Sequence, residues 1–136
     1  IAGSEPKIVG AKAKEGRRGI DLSMEAELVF DGVRAQISCD MSAGVAVRAE
    51  IEVVGEQGRL HVNNPIHPYL GHQLTLSLGG KETVEQVEGH STFDHQLQVD
   101  ALQAGELVPT SGSDAIANME AIDAIYSAAG LHPRGL

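Results

Sequence analysis

Residues 23–41 hold two apolar alternations joined by a two-residue turn, and this feature constrains the fold more than any other. Met24, Ala26, Leu28 and Phe30 alternate with Ser23, Glu25, Glu27 and Val29, the period of a strand with one buried face. Asp31-Gly32 follows, a dipeptide suited to the type I′ turn whose twist matches that of paired strands. Beyond it Val33, Ala35, Ile37, Cys39 and Met41 alternate with Arg34, Gln36, Ser38 and Asp40. A two-residue loop sets Phe30 opposite Val33, Leu28 opposite Ala35 and Ala26 opposite Ile37. Turn chemistry and apolar register therefore agree, which specifies an antiparallel hairpin.

Similar patterns flank it. Residues 7–14 read as a weak edge strand with Val9, Ala11 and Ala13 on one side. Downstream, Val45, Val47, Ala49, Ile51 and Val53 alternate with charged residues as far as a turn at 55–58. That turn pairs Val53 with Leu60 and Ile51 with Val62. Pro65 and Pro68 interrupt the sheet, since proline cannot donate to a central ladder. Leu74, Leu76 and Leu78 resume it, and Gly79-Gly80 turns the chain into residues 83–88. The register of this last hairpin is open, because Val84 and Val87 fall on opposite faces. After Gly89 the period becomes helical. Thr92 can cap a helix reaching Gly105, with Phe93, Leu97, Ala101 and Leu102 on one side. Ser113 or Asp114 can cap a second, with Ala115, Met119, Ile122 and Tyr126 as its stripe, widened by Ile116 and Ile125, and Gly130 at its end.

Strands followed by helices predict an α+β fold: one mainly antiparallel sheet with two C-terminal helices packed on one face. The other face would carry Glu25, Glu27, Arg34, Gln36, Arg48, Glu50 and Glu52. It is either hydrated or the seam of a two-fold homodimer or higher homo-oligomer, since mixed charges can complement their own copy.

The chain has 136 residues, enough for one domain or part of one. Its 42% hydrophobic and 3% aromatic content, without Trp, implies an aliphatic interior and no platforms for stacking bases. Nineteen acidic against ten basic residues give a charge of -9, which argues against nucleic acid and for a soluble cytoplasmic protein. No stretch is long and apolar enough for a membrane span, and no signal peptide is evident. Cys39 alone allows neither an internal disulfide nor a multi-cysteine metal site, and its strand position reads as a small buried hydrophobe. Ile1 in place of Met suggests that the natural start lies elsewhere.

Chemistry-bearing residues are few. His61, His67 and His72 match no metal-ligand spacing, and no Asp or Glu lies between Arg59 and Leu78, so no metal is expected. His90, Ser91, Asp94 and His95 include hydrolase residue types, but triads are assembled from distant segments. A small hydrolase acting through His90 or His95 is the weakest of the readings. Tyr126 reads as a core residue with its hydroxyl at the rim. Neither a Gly-x-Gly-x-x-Gly nor a phosphate-loop motif occurs. No residue of the chain is assigned a catalytic role.

The ordered motifs do resemble a known family. They are Ala2-Gly3-Ser4-Glu5-Pro6, Gly19-Ile20-Asp21-Leu22-Ser23-Met24, Val53-Val54-Gly55-Glu56-Gln57-Gly58, Val62-Asn63-Asn64-Pro65, Thr92-Phe93-Asp94-His95-Gln96-Leu97, and Asn118 through Gly130. Together they resemble the Gfo/Idh/MocA oxidoreductases, especially the dihydrodiol dehydrogenase-type members. The likeness spans residues 1–136 and implies only that family's C-terminal domain, which frames substrate and mediates oligomerisation. It implies an NAD- or NADP-binding Rossmann domain outside this chain. That domain would bring the catalytic lysine of a Glu-Lys-Pro motif, with the acid–base histidine (or tyrosine) of an Asp-x-x-x-His type motif on a helix just upstream of Ile1. Ser4-Glu5-Pro6 is not that motif, having no lysine between Glu5 and Pro6. The parent would move hydride to or from a sugar-like or diol carbon, while the isolated chain binds no cofactor and is silent. Substrate-lining candidates are Met41, Ser42, His67, Tyr69, His72 and Gln96. The alternative is an autonomous ligand-binding or scaffold domain.

Overall fold

The computed structural model describes residues 4–17, 20–89, 94–106 and 111–133, and the side chains of residues 68 and 94–98 lie outside that description. The elements are β1 (Lys7–Arg17), β2 (Ile20–Phe30), β3 (Val33–Asp40), β4 (Glu50–Gly55), β5 (Gly58–Asn63), β6 (His72–Leu78), β7 (Lys81–Val87), α1 (Asp94–Ala104) and α2 (Gly112–Ala128). A single 3-10 turn, Pro68–Leu70, separates β5 from β6. The class is α+β, and every strand pairing is antiparallel.

The strands do not form the single expected sheet. They divide into β1-β2-β3 and β4-β5-β6-β7. The reason lies in residues 40–49. Asp40 Oδ1 accepts from the Ser42 amide at 2.8 Å, Val45 N donates to Ser42 O at 3.3 Å, and Gly44 takes φ 89°, so the chain turns out of the ladder. Val45 and Val47, expected in a strand, stay outside it, and Val47 is 98% exposed. The chain forms two compact units, one of Ile1–Val45 with Val108–Leu136 and one of Ala46–Leu107.

In the first unit the Asp31-Gly32 hairpin has the register read from its pattern, with Phe30 opposite Val33, Leu28 opposite Ala35 and Ala26 opposite Ile37. Met24, Ala26 and Leu28 are buried, and Ile125 of α2 packs on them, with Ile8, Ala11, Ala13 and Tyr126 around the rim. β1 departs from simple alternation. Its pairing steps from Ile8–Leu28 to Gly10–Glu27, a bulge that turns Val9 outward to 63% exposure and leaves Ile8, Ala11 and Ala13 on the core face. Val9 is thus not the core-side residue that plain alternation predicts.

Three further expectations are corrected here. Cys39 is exposed although it pairs with buried Met24, because β3 is an edge strand. The cap of α2 is Ser111, whose Oγ accepts from Asp114 N at 3.3 Å, rather than Ser113 or Asp114. The covered face of α2 is Ala117, Ala121, Ile125 and Ala129, all at least half-buried, while Ile116, Met119 and Ile122 are exposed. Spacing of four gives both stripes equal claim, and the alanine stripe lets the helix axis approach the sheet. The helix end does follow expectation: Gly130 has φ 77° and Leu131 N donates to Tyr126 O at 2.9 Å.

In the second unit β4 and β5 pair Ile51 with Val62 and Val53 with Leu60, as read. Gly79 and Gly80, at φ 57° and 80°, close the β6–β7 hairpin with Leu78 opposite Lys81, a conformation L-residues rarely adopt. This register settles the ambiguity of the valines. Val87 pairs with His72 on the leucine-bearing face, and Val84 pairs with Thr75 on the polar one. Helix α1 ends at Gly105, φ 73°, with Glu106 N bonded to Ala101 O at 2.9 Å. It clusters with this unit, whereas α2 belongs to the first, so the two helices do not share one unit as expected. Residue Thr92, its expected cap, lies outside the described residues.

Candidate functional site

The predicted substrate-lining residues fall in two places, one in each unit. Met41 and Ser42 follow β3 in the first. Met41 N extends the pairing by donating to Leu22 O at 2.7 Å, and its side chain is exposed. Ser42 closes the Asp40 turn from both sides. Its hydroxyl and its amide bond the Asp40 carboxylate and hold it below the usual carboxylate range, with Lys14 adding a smaller pull. Lys14, Ser23 and Asp40 form one row across the three strands.

His67, Tyr69 and His72 belong to the second unit, where β5 leaves the sheet and β6 enters it. Pro65 cannot donate to a ladder, so the chain loops out and returns at Gly71, φ 82°. Leu70 N donates to His67 O at 2.9 Å, closing the 3-10 turn. The His67 and Tyr69 rings meet edge to face, with centroids 5.7 Å apart at 63°. His72 is a strand residue and not part of the loop. Its carbonyl accepts from Gln86 Nε2 at 3.2 Å. Gln96 lies in the first turn of α1, and its side chain is outside the described residues, as are His90, Ser91 and the side chains of Asp94 and His95.

Sequence reasoning missed Asn64. Its φ of 58° is the one positive value at a non-glycine residue among those described. Its Nδ2 donates to His67 O at 2.9 Å and Gly71 O at 2.6 Å, and its own N–H donates to Ala49 O at 2.8 Å. An Asn-Pro pair is a turn signal, and Asn tolerates the left-handed region, but its carbonyl partners become neighbours only in the fold.

The residues expected on an open face also divide. Glu25, Glu27, Arg34 and Gln36 lie on β2 and β3. Lys12 faces Glu25 across the ladder, and a hollow of about 210 Å³ over Gly10 is lined by Lys12, Glu25, Glu27 and Gln36. Glu50 and Glu52 belong to the other sheet, where Arg48–Glu50 (3.9 Å) and Arg59–Glu52 (3.4 Å) are exposed ion pairs. Such pairs add little stability. Among the described residues no three of His, Cys, Asp and Glu converge as metal ligands, and no helix is long and apolar enough to cross a membrane.

No family model and no curated protein matches the chain. Solved structures do. KijD10, a 3-ketoreductase from Actinomadura kijaniata crystallised with NADP, superposes with a TM-score of 0.76 at 22% identity, over 93% of this chain and 42% of its own. The same enzyme with NADP and TDP-benzene gives 0.77 over 93% of this chain and 40% of its own. A dehydrogenase (MviM) from Clostridium difficile gives 0.73 at 16% identity, over 93% and 42%. The chain thus spans about 40% of the length of the proteins it resembles. The chain has the fold of the corresponding part of this ketoreductase and this dehydrogenase.

Proposed function

We propose that this chain is the C-terminal, substrate-framing domain of an NAD(P)-dependent oxidoreductase that moves hydride between nicotinamide C4 and a carbon of a sugar-like or diol substrate. The observation that carries this reading is the superposition over 93% of the chain on about 40% of two oxidoreductases, in agreement with the ordered sequence motifs.

A dinucleotide does not fit the described residues. Pyrophosphate sites of this class need a parallel strand–glycine loop–helix unit, whereas every pairing here is antiparallel and no Gly-x-Gly-x-x-Gly occurs. Cofactor binding and the acid–base lysine and histidine are therefore assigned to a domain outside this chain. This chain's part is to contribute substrate-lining residues; Met41 and Ser42 are the candidates of the first unit, and His67, Tyr69, His72 and Gln96 are those of the second, each set taken by itself. The polar face bearing Glu25, Glu27, Arg34 and Gln36 pairs two copies. Its alternating charges and shallow hollow suit a self-complementary seam.

The coding sequence ahead of Ile1 tests the reading. A strand, Gly-x-Gly-x-x-Gly and helix followed by Glu-Lys-Pro is the expected result. An unrelated domain there would instead support an autonomous ligand-binding module.

A further inference from the structure

We propose that the outer edge of β3 pairs antiparallel with β3 of a second copy of this chain, about a two-fold axis at Ile37, so that two β1-β2-β3 sheets join into one. The inference stands apart from the oxidoreductase reading. The strand edge is also a different surface from the polar sheet face proposed above to pair copies.

Among the described residues β1 and β3 are the two edges of the first sheet, and they are built differently. β1 steps out of register between Ile8 and Gly10, Lys14 and Glu15, and Glu15 and Arg17, and it carries Lys7, Lys12 and Lys14. Bulges and lysines are the devices that keep an exposed edge from pairing with another chain. β3 has neither. Its residues, Val33–Asp40, pair with β2 without a shift and include no lysine or proline. All but Ala35 are exposed, Val33 at 47% and Ile37 at 46%. A regular, partly apolar edge of this kind is a template for a further strand.

The groups on offer follow from register. Met41 N donates to Leu22 O, so the odd-numbered residues of β3 bond to β2. Arg34, Gln36, Ser38 and Asp40 therefore direct their backbone N–H and C=O groups outward. The chain's own continuation does not suit them. A return through the turn that Val45 N closes on Ser42 O would set Val47 opposite Asp40 and Arg48 opposite Cys39, a valine on the polar side and an arginine on the core side. A second β3 does suit them. With the axis at Ile37, Arg34 of one copy lies opposite Asp40 of the other, and Gln36 opposite Ser38. On the core side Ala35 meets Cys39, Val33 meets Met41, and Ile37 meets itself. This register alone brings the two charges of the strand together, once at each end of the seam.

The test is disulfide trapping in the intact protein, with Cys39→Ala as background. Ile37 meets its copy at a non-hydrogen-bonded pair, where Cα atoms lie about 4.5 Å apart, within disulfide reach. Ile37→Cys should therefore give a covalent dimer in a glutathione redox buffer. Val33→Cys should not, because its two copies would lie about 27 Å apart along the seam. Gln36→Pro removes an outward N–H and spares the pairing with β2, so it should weaken association in sedimentation runs about tenfold or more. Circular dichroism checks that this variant is folded, and the trapping result does not depend on it. Equal trapping at both positions, or none at Ile37→Cys, would overturn the proposal. So would association that a folded Gln36→Pro leaves unchanged, which would give the pairing of copies to the polar face alone. A monomer whose Gln36 and Ser38 amides resist hydrogen exchange would also overturn it, since another segment of the intact protein would then occupy the edge.

Discussion

The Tyr126 hydroxyl donates to Asp21 Oδ1 at 2.6 Å, joining the end of α2 to the start of β2 across 105 residues of sequence. Asp21 is the one buried charged residue among those described, and the contact lies beside Ile125 and Met24. Helix and sheet are thus fastened by an apolar patch with a polar link at its edge. Tyr126→Phe keeps the ring and removes the donor. It should cost about 1–3 kcal/mol, the range for a hydrogen bond to a carboxylate in a partly buried site. Urea denaturation at neutral pH measures it, and an unchanged midpoint would show the link to be incidental.

The β1 bulge yields a reciprocal prediction. Ile8 packs on the core and Val9 points away. Ile8→Thr should therefore destabilise by about 1–3 kcal/mol, since it removes apolar contact and adds a hydroxyl there. Val9→Thr should stay within about 0.5 kcal/mol. Thermal denaturation of the two variants decides the matter. The opposite ranking would mean that β1 alternates without a bulge.

These elements show what sequence makes legible. The Asp31-Gly32 hairpin could be read because turn chemistry and flanking alternation are local and had to agree, whereas at Gly79-Gly80 only the turn was legible and the register was not, since Val84 and Val87 fall on opposite faces. The bulge could not, because a small residue such as Gly10 lets the strand change parity without leaving a mark in the pattern. The α2 stripe was ambiguous for another reason. Apolar residues occupy both the Met119–Ile122 side and the Ala121–Ile125 side, and only the sheet's demand for close approach selects the alanines. At the candidate site, His67 and Tyr69 stood out by type, whereas Asn64 acts through carbonyls that only the folded loop brings within reach.

Gly89 tests the packing beneath that loop. Any side chain there meets the Tyr69 carbonyl, so Gly89→Ala must displace the loop or the strand end. Overpacking of this kind costs about 1–3 kcal/mol. Hydrogen exchange should show the Leu70 amide, bonded to His67 O, losing protection in the variant. Unchanged protection would mean that the loop base is looser than described.

Asp40 carries the pH dependence. Its carboxyl is held below the usual range by the Ser42 hydroxyl and amide, then by Lys14. A lowered folded-state value means that the turn gains stability from the carboxylate above the ordinary carboxylate range and loses it as pH falls through the lowered value. Carbon-detected NMR titration should find Asp40 protonating at lower pH than a model peptide. Ser42→Ala should move it upward toward the ordinary value, and no movement would remove Ser42 as the cause.

The proposed pairing through the polar sheet face has its own check. Light scattering of concentrated protein should give a dimer or larger assembly, and Arg34→Glu, which reverses one sign on that face, should shift it toward monomer. A monomer at every concentration would remove the face from the account.

The proposed division of labour between this chain and a separate cofactor domain is tested most directly by NADPH fluorescence titration. The intact protein and residues 1–136 alone should be measured side by side. Saturable binding by the intact protein and none by the 136-residue chain is the predicted result. Tight nucleotide binding by the chain alone, or none by the intact protein, would contradict it.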